Sequence, residues 1–306
     1  MTCAEADQHA NRAPAADIVA TRMGNRLPTL VLLFSATLWG LVWWPMQRLA
    51  AAGVRGPALA LIAYGGVGLA GLPWLWRERA HWRPELRQLL LIAAFGGWAN
   101  ASFVMALTQG DVVREMLLFY LAPAWSVLGG RLVLGEALSA RRGLAVALAL
   151  AGAFLVIRAG GPIESGAVTA ADWLALSAGV TFAVSNLLTR AARRIPIASK
   201  TVAITLGCAL FSALTLGVLS QPMPSISVDV GLGLLVFSVV WIVAGTATTS
   251  YGVTHLQASR SALILLLELL TSVVSASVIQ GRLPSLLEVV GGTLILAAAA
   301  IDIVAS

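Results

Sequence analysis

The chain has 306 residues, of which 58% are hydrophobic and only 11% are charged, whereas about a quarter of the residues of a soluble domain are charged. This composition excludes an ordinary soluble protein and indicates a membrane protein with room for about ten spans of roughly 20 residues. The net charge of +6 comes from short basic clusters between apolar runs, which is typical of membrane topology and does not predict a nucleic-acid partner.

The N-terminal segment 1–27 is polar and rich in Ala, and we expect a disordered cytoplasmic tail because it offers little apolar surface to bury. A secretory signal is the alternative, since Arg26 precedes an apolar run. That run, 30–48, is too long and too rich in Trp for a typical signal, which favours a retained span. Cys3 lies in the tail and Cys208 in an apolar run, so no disulfide framework is predicted.

Ten apolar segments follow, and each predicts a transmembrane helix. Prolines inside the segments, such as Pro45 and Pro73, fit buried helices whose neighbours satisfy the freed backbone groups. In chain order, spans 1 to 10 are predicted at 29–48, 57–76, 87–108, 112–133, 142–158, 171–190, 199–220, 229–253, 258–280 and 285–303.

The basic residues predict how the spans are oriented. With a cytoplasmic N-terminus, 15 of the 20 Lys and Arg residues fall at cytoplasmic ends and five at external ends. Because cytoplasmic loops carry the excess of Lys and Arg, we expect both termini in the cytoplasm.

The chain also resembles itself. An offset of 146 residues places Arg114 on Arg260 and Gly135 on Gly281, and an offset of 142 places Arg48 on a further arginine at the end of span 6. We therefore predict an all-α membrane protein with two five-helix repeats, 28–160 and 161–306. Five spans is an odd number, so the repeats would be inverted around a central cavity, as in secondary transporters. Similarity arising from composition alone is the alternative.

Several short sequence motifs resemble those of a known transporter family. Span 1 contains Trp39-Gly40, and Pro123 lies twelve residues before Gly135-Glu136, within a doubled five-span unit. This pattern resembles the drug/metabolite transporter superfamily, EamA type. The run from Met116 to Pro123 is similar to the YddG-type exporters of aromatic amino acids.

The second half departs from the family pattern. Glu268 and Gly281 stand where the family has a Glu-Pro pair and a Gly-Glu pair, but Leu269 replaces the proline and Arg282 the glutamate. The resemblance implies a secondary transporter in the bacterial inner membrane. It would have no cofactor, a small-molecule substrate and the lipid bilayer as partners, and a monomeric or weakly oligomeric state.

A carrier of flat zwitterions or cations needs aromatic faces, a few amides and little fixed charge. Trp39 and Trp43 are four residues apart, as are Phe182 and Asn186, so each pair shares a helix face. For the tryptophans lipid contact is the alternative, and for the amides it is interhelical hydrogen bonding worth about 0.6 kcal/mol. The substrate-binding candidates are Trp39, Trp43, Tyr64, Trp98, Asn100, Phe119, Tyr120, Phe182, Asn186, Trp241, Tyr251 and Glu268.

Glu268 lies near the middle of span 9, where an ionised carboxylate is costly unless it is paired or faces water. It could bind a substrate amine, carry a coupling proton or anchor a helix break, and a helix-packing role is the alternative. Because Phe119 and Tyr120 belong to the first half and Glu268 to the second, we expect aromatic rings and a carboxylate to meet from opposite repeats.

Candidates for gating or helix bending are Pro123, Arg114 and Arg260. Asp111 lies three residues before Arg114, so the two side chains can pair along one helix face. Snorkelling to the membrane surface is the alternative fate of an arginine at the end of a span.

Three functions remain to be weighed. A secondary transporter would export aromatic or other amino acids and planar xenobiotics, although superfamily members also carry nucleotide sugars and lipid-linked amines. An intramembrane enzyme is disfavoured because HExxH, GxSxG and paired intramembrane aspartates are missing, so we predict no catalytic residue and no metal. A selective channel is disfavoured because the sequence has no filter motif.

Overall fold

A computed structural model of the chain describes residues 26–122, 124–125, 140–158, 168–256, 258–281 and 283–305. Within these ranges the regular secondary structure is helical. The predicted tail lies almost entirely outside the described residues, and Pro123, Gly135-Glu136 and Arg282 lie outside them too.

The helices follow the ten predicted spans to within a few residues. Span 1 consists of two helices, span 8 contains a π-helix, and the described part of span 4 is short. A short helix, Arg79–Trp82, and a 3-10 turn, Arg83–Glu85, connect spans 2 and 3. The bounds are Arg26–Gly40 and Trp43–Ala51 (span 1), Gly56–Arg77 (2), Leu86–Gln109 (3), Val112–Phe119 (4), Ala140–Arg158 (5), Ala170–Ala191 (6), Ile197–Val218 (7), Val228–Val236, Phe237–Gly245 and Thr246–His255 (8), Ala258–Gln280 (9) and Leu286–Ala305 (10).

The helices have the length and polarity of membrane spans. Among the described residues, six are long and apolar enough to cross a bilayer, and shorter apolar helices lie in spans 5, 9 and 10. Large apolar side chains face outward; Val218 and Leu283, for example, are 82% and 84% exposed. Such a surface suits lipid and not water. The predicted all-helical, multi-pass fold is therefore confirmed.

The packing of the spans is symmetric under exchange of the two halves. Span 2 packs on span 7 and span 5 on span 10, while span 1 packs on spans 8 and 9 as span 6 packs on spans 3 and 4. Exchanging each span with the one five places later leaves this set unchanged. That pattern is what two inverted five-span repeats predict.

One crossing departs from this symmetry, because span 3 packs more extensively on span 7 than span 8 does on span 2. At that crossing Gly97 meets Gly207, and Gly207 also meets the carbonyl of Ala93, so closely that a Cβ atom at either glycine would clash with backbone. Small residues permit such close approach of membrane helices. Span 7 is consequently in close contact with both span 2 and span 3.

Several helices begin with side-chain caps. Thr169 and Asp172 form a reciprocal capping box at the start of span 6, and Ser285 and Glu288 exchange the same two contacts before span 10. Asp111 accepts a hydrogen bond from the backbone N–H of Arg114 at the start of span 4. These caps satisfy N–H groups that a helix cannot pair internally. In the orientation predicted from charge, all three helix starts lie on the external side.

Candidate functional site

Span 1 is interrupted in the middle of the bundle, next to the turn of span 9 that carries Glu268. Its first helix ends at Gly40, where a Cβ atom would lie 2.5 Å from Cβ of Thr271 and 2.7 Å from the carbonyl oxygen of Glu268. Ser272 donates a hydrogen bond to the carbonyl of Gly40 at 2.8 Å. A glycine and a span 9 hydroxyl thus hold the interruption against span 9.

Span 4 is interrupted in a related way, against span 6. Its regular helix ends at Phe119, and Tyr120 and Leu121 form a turn. A Cβ atom at Gly179 of span 6 would lie 2.8 Å from the carbonyl oxygen of Phe119. In the predicted repeats span 1 corresponds to span 6 and span 9 to span 4. At both places a glycine of span 1 or 6 therefore contacts a backbone carbonyl of span 9 or 4, next to an interruption.

Phe119 is the centre of an aromatic cluster. Its ring centroid lies 4.6 Å from that of Phe103, 5.4 Å from that of Phe182 and 5.6 Å from that of Tyr120. The rings come from spans 3, 4 and 6, and Phe182 is 39% exposed. Ring pairs at this spacing are favourable beyond their buried area, and a flat ligand ring could join them.

Tyr120 connects this aromatic cluster to Glu268. The hydroxyl of Tyr120 is buried and has no partner with hydrogen-bonding geometry among the described residues, yet it lies within interaction range of the Glu268 carboxylate. The two polar groups therefore face each other without closing a regular hydrogen bond. A buried hydroxyl in this state can still bond to a third group.

A second polar network joins spans 1 and 8. The hydroxyls of Ser35 and Thr249 are 2.5 Å apart, and the indole of Trp39 donates to Thr249 at 3.1 Å. The Trp39 ring lies against Gly245, where a Cβ atom would come 3.1 Å from it. Trp39 is therefore held in place by polar and steric contacts on the side of span 1 that faces span 8.

The other candidate tryptophans also donate hydrogen bonds between spans. Trp43 is 2% exposed and donates to Ser275 of span 9 at 2.9 Å. Trp98 of span 3 donates to Ser177 of span 6 at 3.3 Å, and Trp241 of span 8 donates to the carbonyl of Leu38 in span 1 at 2.9 Å. The last two bonds join equivalent span pairs of the two repeats.

The remaining aromatic and amide candidates are buried in the apolar core, bonded within their own helix, or exposed. Tyr64 is 3% exposed within the apolar core. Asn100 donates to the carbonyl of Gly96 one turn earlier in its own helix, at 2.8 Å. Asn186 is exposed, and Tyr251 is 38% exposed with its ring centroid 4.3 Å from that of His255.

Arg114 forms a buried ion pair that joins spans 4 and 6. Its Nε and Nη2 atoms donate to the two carboxylate oxygens of Asp172 at 2.5 Å and 2.7 Å. Asp172 is fully buried and Arg114 is 9% exposed. Arg114 therefore does not snorkel, and its guanidinium binds the Asp172 carboxylate in a bidentate geometry. Arg260 lies in the first turn of the span 9 helix.

Sequence reasoning missed Asp172 and the neighbouring Glu115, which is 1% exposed. The signal for Asp172 was present, because Thr169 followed three residues later by an acidic residue is a capping box. Its pairing with Arg114 depends on two spans separated by 58 residues. The hydroxyls Ser35 and Ser272 were missed as well, since a serine in an apolar span carries no pattern of its own.

Comparisons with known proteins agree with this architecture. The chain is 27% identical over 257 residues to a probable terminal-alkyne amino-acid exporter of Streptantibioticus cattleyicolor, covering 79% of this chain and 81% of the exporter. It is 25% identical over 229 residues to an uncharacterized transporter of Archaeoglobus fulgidus, covering 75% of this chain and 80% of that protein. A crystal structure with 20% sequence identity shares the fold, with a TM-score of 0.59 over 91% of this chain and 98% of the other.

A family model matches part of the chain. Residues 27–158, the predicted first repeat, match the EamA-like transporter family. The EamA-type resemblance identified from the sequence motifs is confirmed for this part of the chain.

Proposed function

We propose that the chain is a secondary exporter of amino acids with apolar or aromatic side chains, and that it works by alternating access. The observation that carries the proposal is the pair of Tyr120 and Glu268, which face each other from opposite halves beside the aromatic cluster of Phe103, Phe119 and Phe182. In inverted-repeat transporters the substrate site lies at the interface between the repeats.

Each part of an amino acid has a counterpart at this site. The ammonium group would bind the Glu268 carboxylate, which otherwise has no cation among the interactions described for it. The hydroxyl of Tyr120 has no partner in regular hydrogen-bonding geometry among the residues that the structure describes, and it would donate to the substrate carboxylate or accept from its ammonium. The side chain would pack on Phe119 and Phe182, whose rings already accept aromatic neighbours.

The cargo class has independent support from one relative. The Streptantibioticus protein is named as a probable exporter of an amino acid with a terminal alkyne, which is a small zwitterion with an apolar tail. Such a molecule could bind through its ammonium group to Glu268 and through its apolar tail to the rings of Phe119 and Phe182. Planar xenobiotic cations share the ammonium and the ring, whereas nucleotide sugars would require cationic groups that the pair of Tyr120 and Glu268 does not offer.

The interruptions of spans 1 and 4 support movement around this site. Gly40 and Gly179 place each interruption in direct contact with a neighbouring span, so a shift of one helix is transmitted to its partner. Discontinuous helices at the substrate site are a recurring feature of alternating-access transporters. We place the site between the two repeats and the conformational change at these contacts.

The proposal includes an orientation in the bacterial inner membrane with both termini in the cytoplasm, on the strength of the basic clusters. In intact cells carrying a variant without native cysteines, a membrane-impermeant thiol reagent should label Gln221→Cys, which lies between spans 7 and 8. It should leave His81→Cys, between spans 2 and 3, unlabelled. The opposite labelling pattern would reverse the orientation.

The central experiment uses purified protein in liposomes loaded with unlabelled tryptophan. Labelled tryptophan should enter by saturable counterflow. Glu268→Gln should reduce its rate by at least about tenfold, since a hydrogen bond to a charged group contributes roughly 1.5–3 kcal/mol. Asp229→Asn, at an exposed position at the start of span 8, is the matched control and should leave counterflow unchanged.

Three results would reject the proposal. Chemically modified product would indicate an enzyme, and non-saturable entry without counterflow would indicate a channel. Equal rates for Glu268→Gln and Asp229→Asn would remove Glu268 from the substrate site.

A further inference from the structure

The end of span 4 that carries Arg114 holds more buried negative charge than the ion pair needs. Asp172 already accepts two hydrogen bonds from the Arg114 guanidinium, one from Nε and one from Nη2, and balances its single positive charge. Glu115, the next residue, is 1% exposed, and its Oε2 atom is buried without a hydrogen-bond partner among the described residues. A second buried carboxylate beside a guanidinium that is already paired requires another positive charge.

The surroundings of Glu115 limit what this charge can be. Gly110 lies against the carboxyl group, since a Cβ atom at Gly110 would clash with its Oε1 atom, and the methyl group of Ala171 lies beside Gly110. A substrate ammonium group has no room at such a position. Among the described residues no group of three or more acidic, His or Cys side chains could hold a metal ion. The cation that fits is a proton.

The charged groups that act on Glu115 are Asp172 of span 6 and, on its own span, Arg114 and Asp111. The other spans in contact with span 4 bring different groups to this end of the bundle. Spans 3 and 9 end in the uncharged Gln109 and Gln280. Span 5 ends at Arg158, whose guanidinium lies over Phe154, and span 10 begins near Glu288, whose carboxylate caps its own helix.

We propose that Glu115 is a proton-binding site that controls opening of the contact between spans 4 and 6 at the predicted external face. With Glu115 protonated, Arg114 and Asp172 pair undisturbed and the contact is closed. When the proton leaves to the external solution, the Glu115 carboxylate competes with Asp172 for the one guanidinium, and two carboxylates then repel each other across the contact. The proposal deepens the proposed transport cycle and rests on it for the direction of the movement.

The same contact leads to the proposed substrate site. Glu115 and Phe119 are four residues apart on one face of span 4, and Asp172 and Gly179 are two turns apart on span 6. Gly179 lies against the carbonyl of Phe119, and Phe182 lies against its ring. Separation of spans 4 and 6 at Glu115 would therefore also disturb the aromatic cluster.

The test measures opening directly and does not depend on transport. Ala175, fully buried and one turn after Asp172 on span 6, is replaced by Cys in full-length protein with both native cysteines removed. Labelling by a membrane-impermeant maleimide in liposomes is followed from pH 5 to pH 8, after correction for the reactivity of the thiol itself. The corrected labelling should rise by up to about tenfold per pH unit until Glu115 is ionised, since opening would be linked to loss of one proton.

In the same background Glu115→Gln should label slowly at every pH, and Glu115→Asp should retain the rise. Glu85→Gln, at the opposite end of the bundle, is the control and should behave like the parent. A rise with pH in Glu115→Gln equal to that of the parent would overturn the inference, as would a flat profile in the parent. Absence of tryptophan counterflow together with the expected labelling would reject the proposed function and leave the proton site standing.

Discussion

The carbonyl oxygen of Glu268 lies 2.7 Å from the position that a Cβ atom on Gly40 would occupy. The interruption of span 1 is therefore in backbone contact with the residue that we assign to the substrate ammonium. Ser272, one turn after Glu268, bonds to the carbonyl of the same glycine. Movement of span 1 and occupancy at Glu268 would consequently influence each other without an intervening side chain.

We expect Gly40→Ala to destabilise the protein by about 1–3 kcal/mol, because the new methyl group overlaps Thr271 and the span 9 backbone. Thermal unfolding in detergent measures the change. Gly66→Ala is the matched control, since a Cβ atom at Gly66 would meet nothing within 4 Å. Equal melting temperatures for the two variants would contradict the close packing at Gly40.

Asp172→Asn should be destabilising, by up to about 3–5 kcal/mol, because it breaks the buried ion pair of Asp172 with Arg114. The double variant Arg114→Leu with Asp172→Leu should lose less stability than the sum of the two single changes. A double-mutant cycle on denaturant unfolding gives the coupling directly. Additive effects would mean that the two side chains do not interact in the membrane.

Tyr120→Phe separates a binding role from a structural one. Among the described residues the Tyr120 hydroxyl has no partner in regular hydrogen-bonding geometry, so its removal should change the free energy of unfolding little. The apparent affinity for tryptophan in counterflow should fall, because the substrate loses a polar partner. Tyr251→Phe, on an exposed ring, is the control. A loss of stability with unchanged affinity would assign the hydroxyl to packing.

The hydroxyl contacts between spans should contribute modestly. Ser35→Ala removes the bond to Thr249, and Ser177→Ala removes the acceptor of the Trp98 indole. Each should lower stability by about 0.6 kcal/mol, the average for interhelical hydrogen bonds in membranes. Because the two sites are far apart in the chain and join different span pairs, the double variant should lose the sum. A coupling above about 1 kcal/mol would contradict their independence.

The course of the chain through the membrane could be predicted from sequence because apolar length alone determines it. Each of the ten predicted spans contains at least one helix within the described residues, and the packing of the spans is symmetric under exchange of the two halves. The meeting of Tyr120 with Glu268 was also expected from the asymmetry of the two halves. The pattern of apolar segments determines the order of the spans along the chain. That order in turn limits which residues can lie at the same depth in the membrane.

Partners of individual polar groups could not be predicted in the same way. Arg114 has Asp111 three residues away, but that carboxylate caps the backbone, and the guanidinium reaches Asp172 on another span. Trp43 is an aromatic residue of the kind that binds flat ligands, but it lies in the apolar core. The rotation of each helix about its own axis determines which neighbour a side chain contacts. In a span that is apolar on all sides, the sequence pattern does not indicate that rotation.

The π-helix Phe237–Gly245 determines how the last helix of span 8 is rotated about the axis of the span. A π segment accommodates one residue more than an α-helix of the same height, so it behaves like a single-residue insertion. Deleting one residue there would restore regular α-helical pairing and turn Thr246–His255 by about 100° relative to the rest of the span. Thr249 would leave Ser35 and Trp39, although no contacting residue had been changed. The number of residues between Phe237 and Gly245 therefore determines which face of Thr246–His255 contacts span 1. A deletion in this segment should disturb that contact more than a substitution.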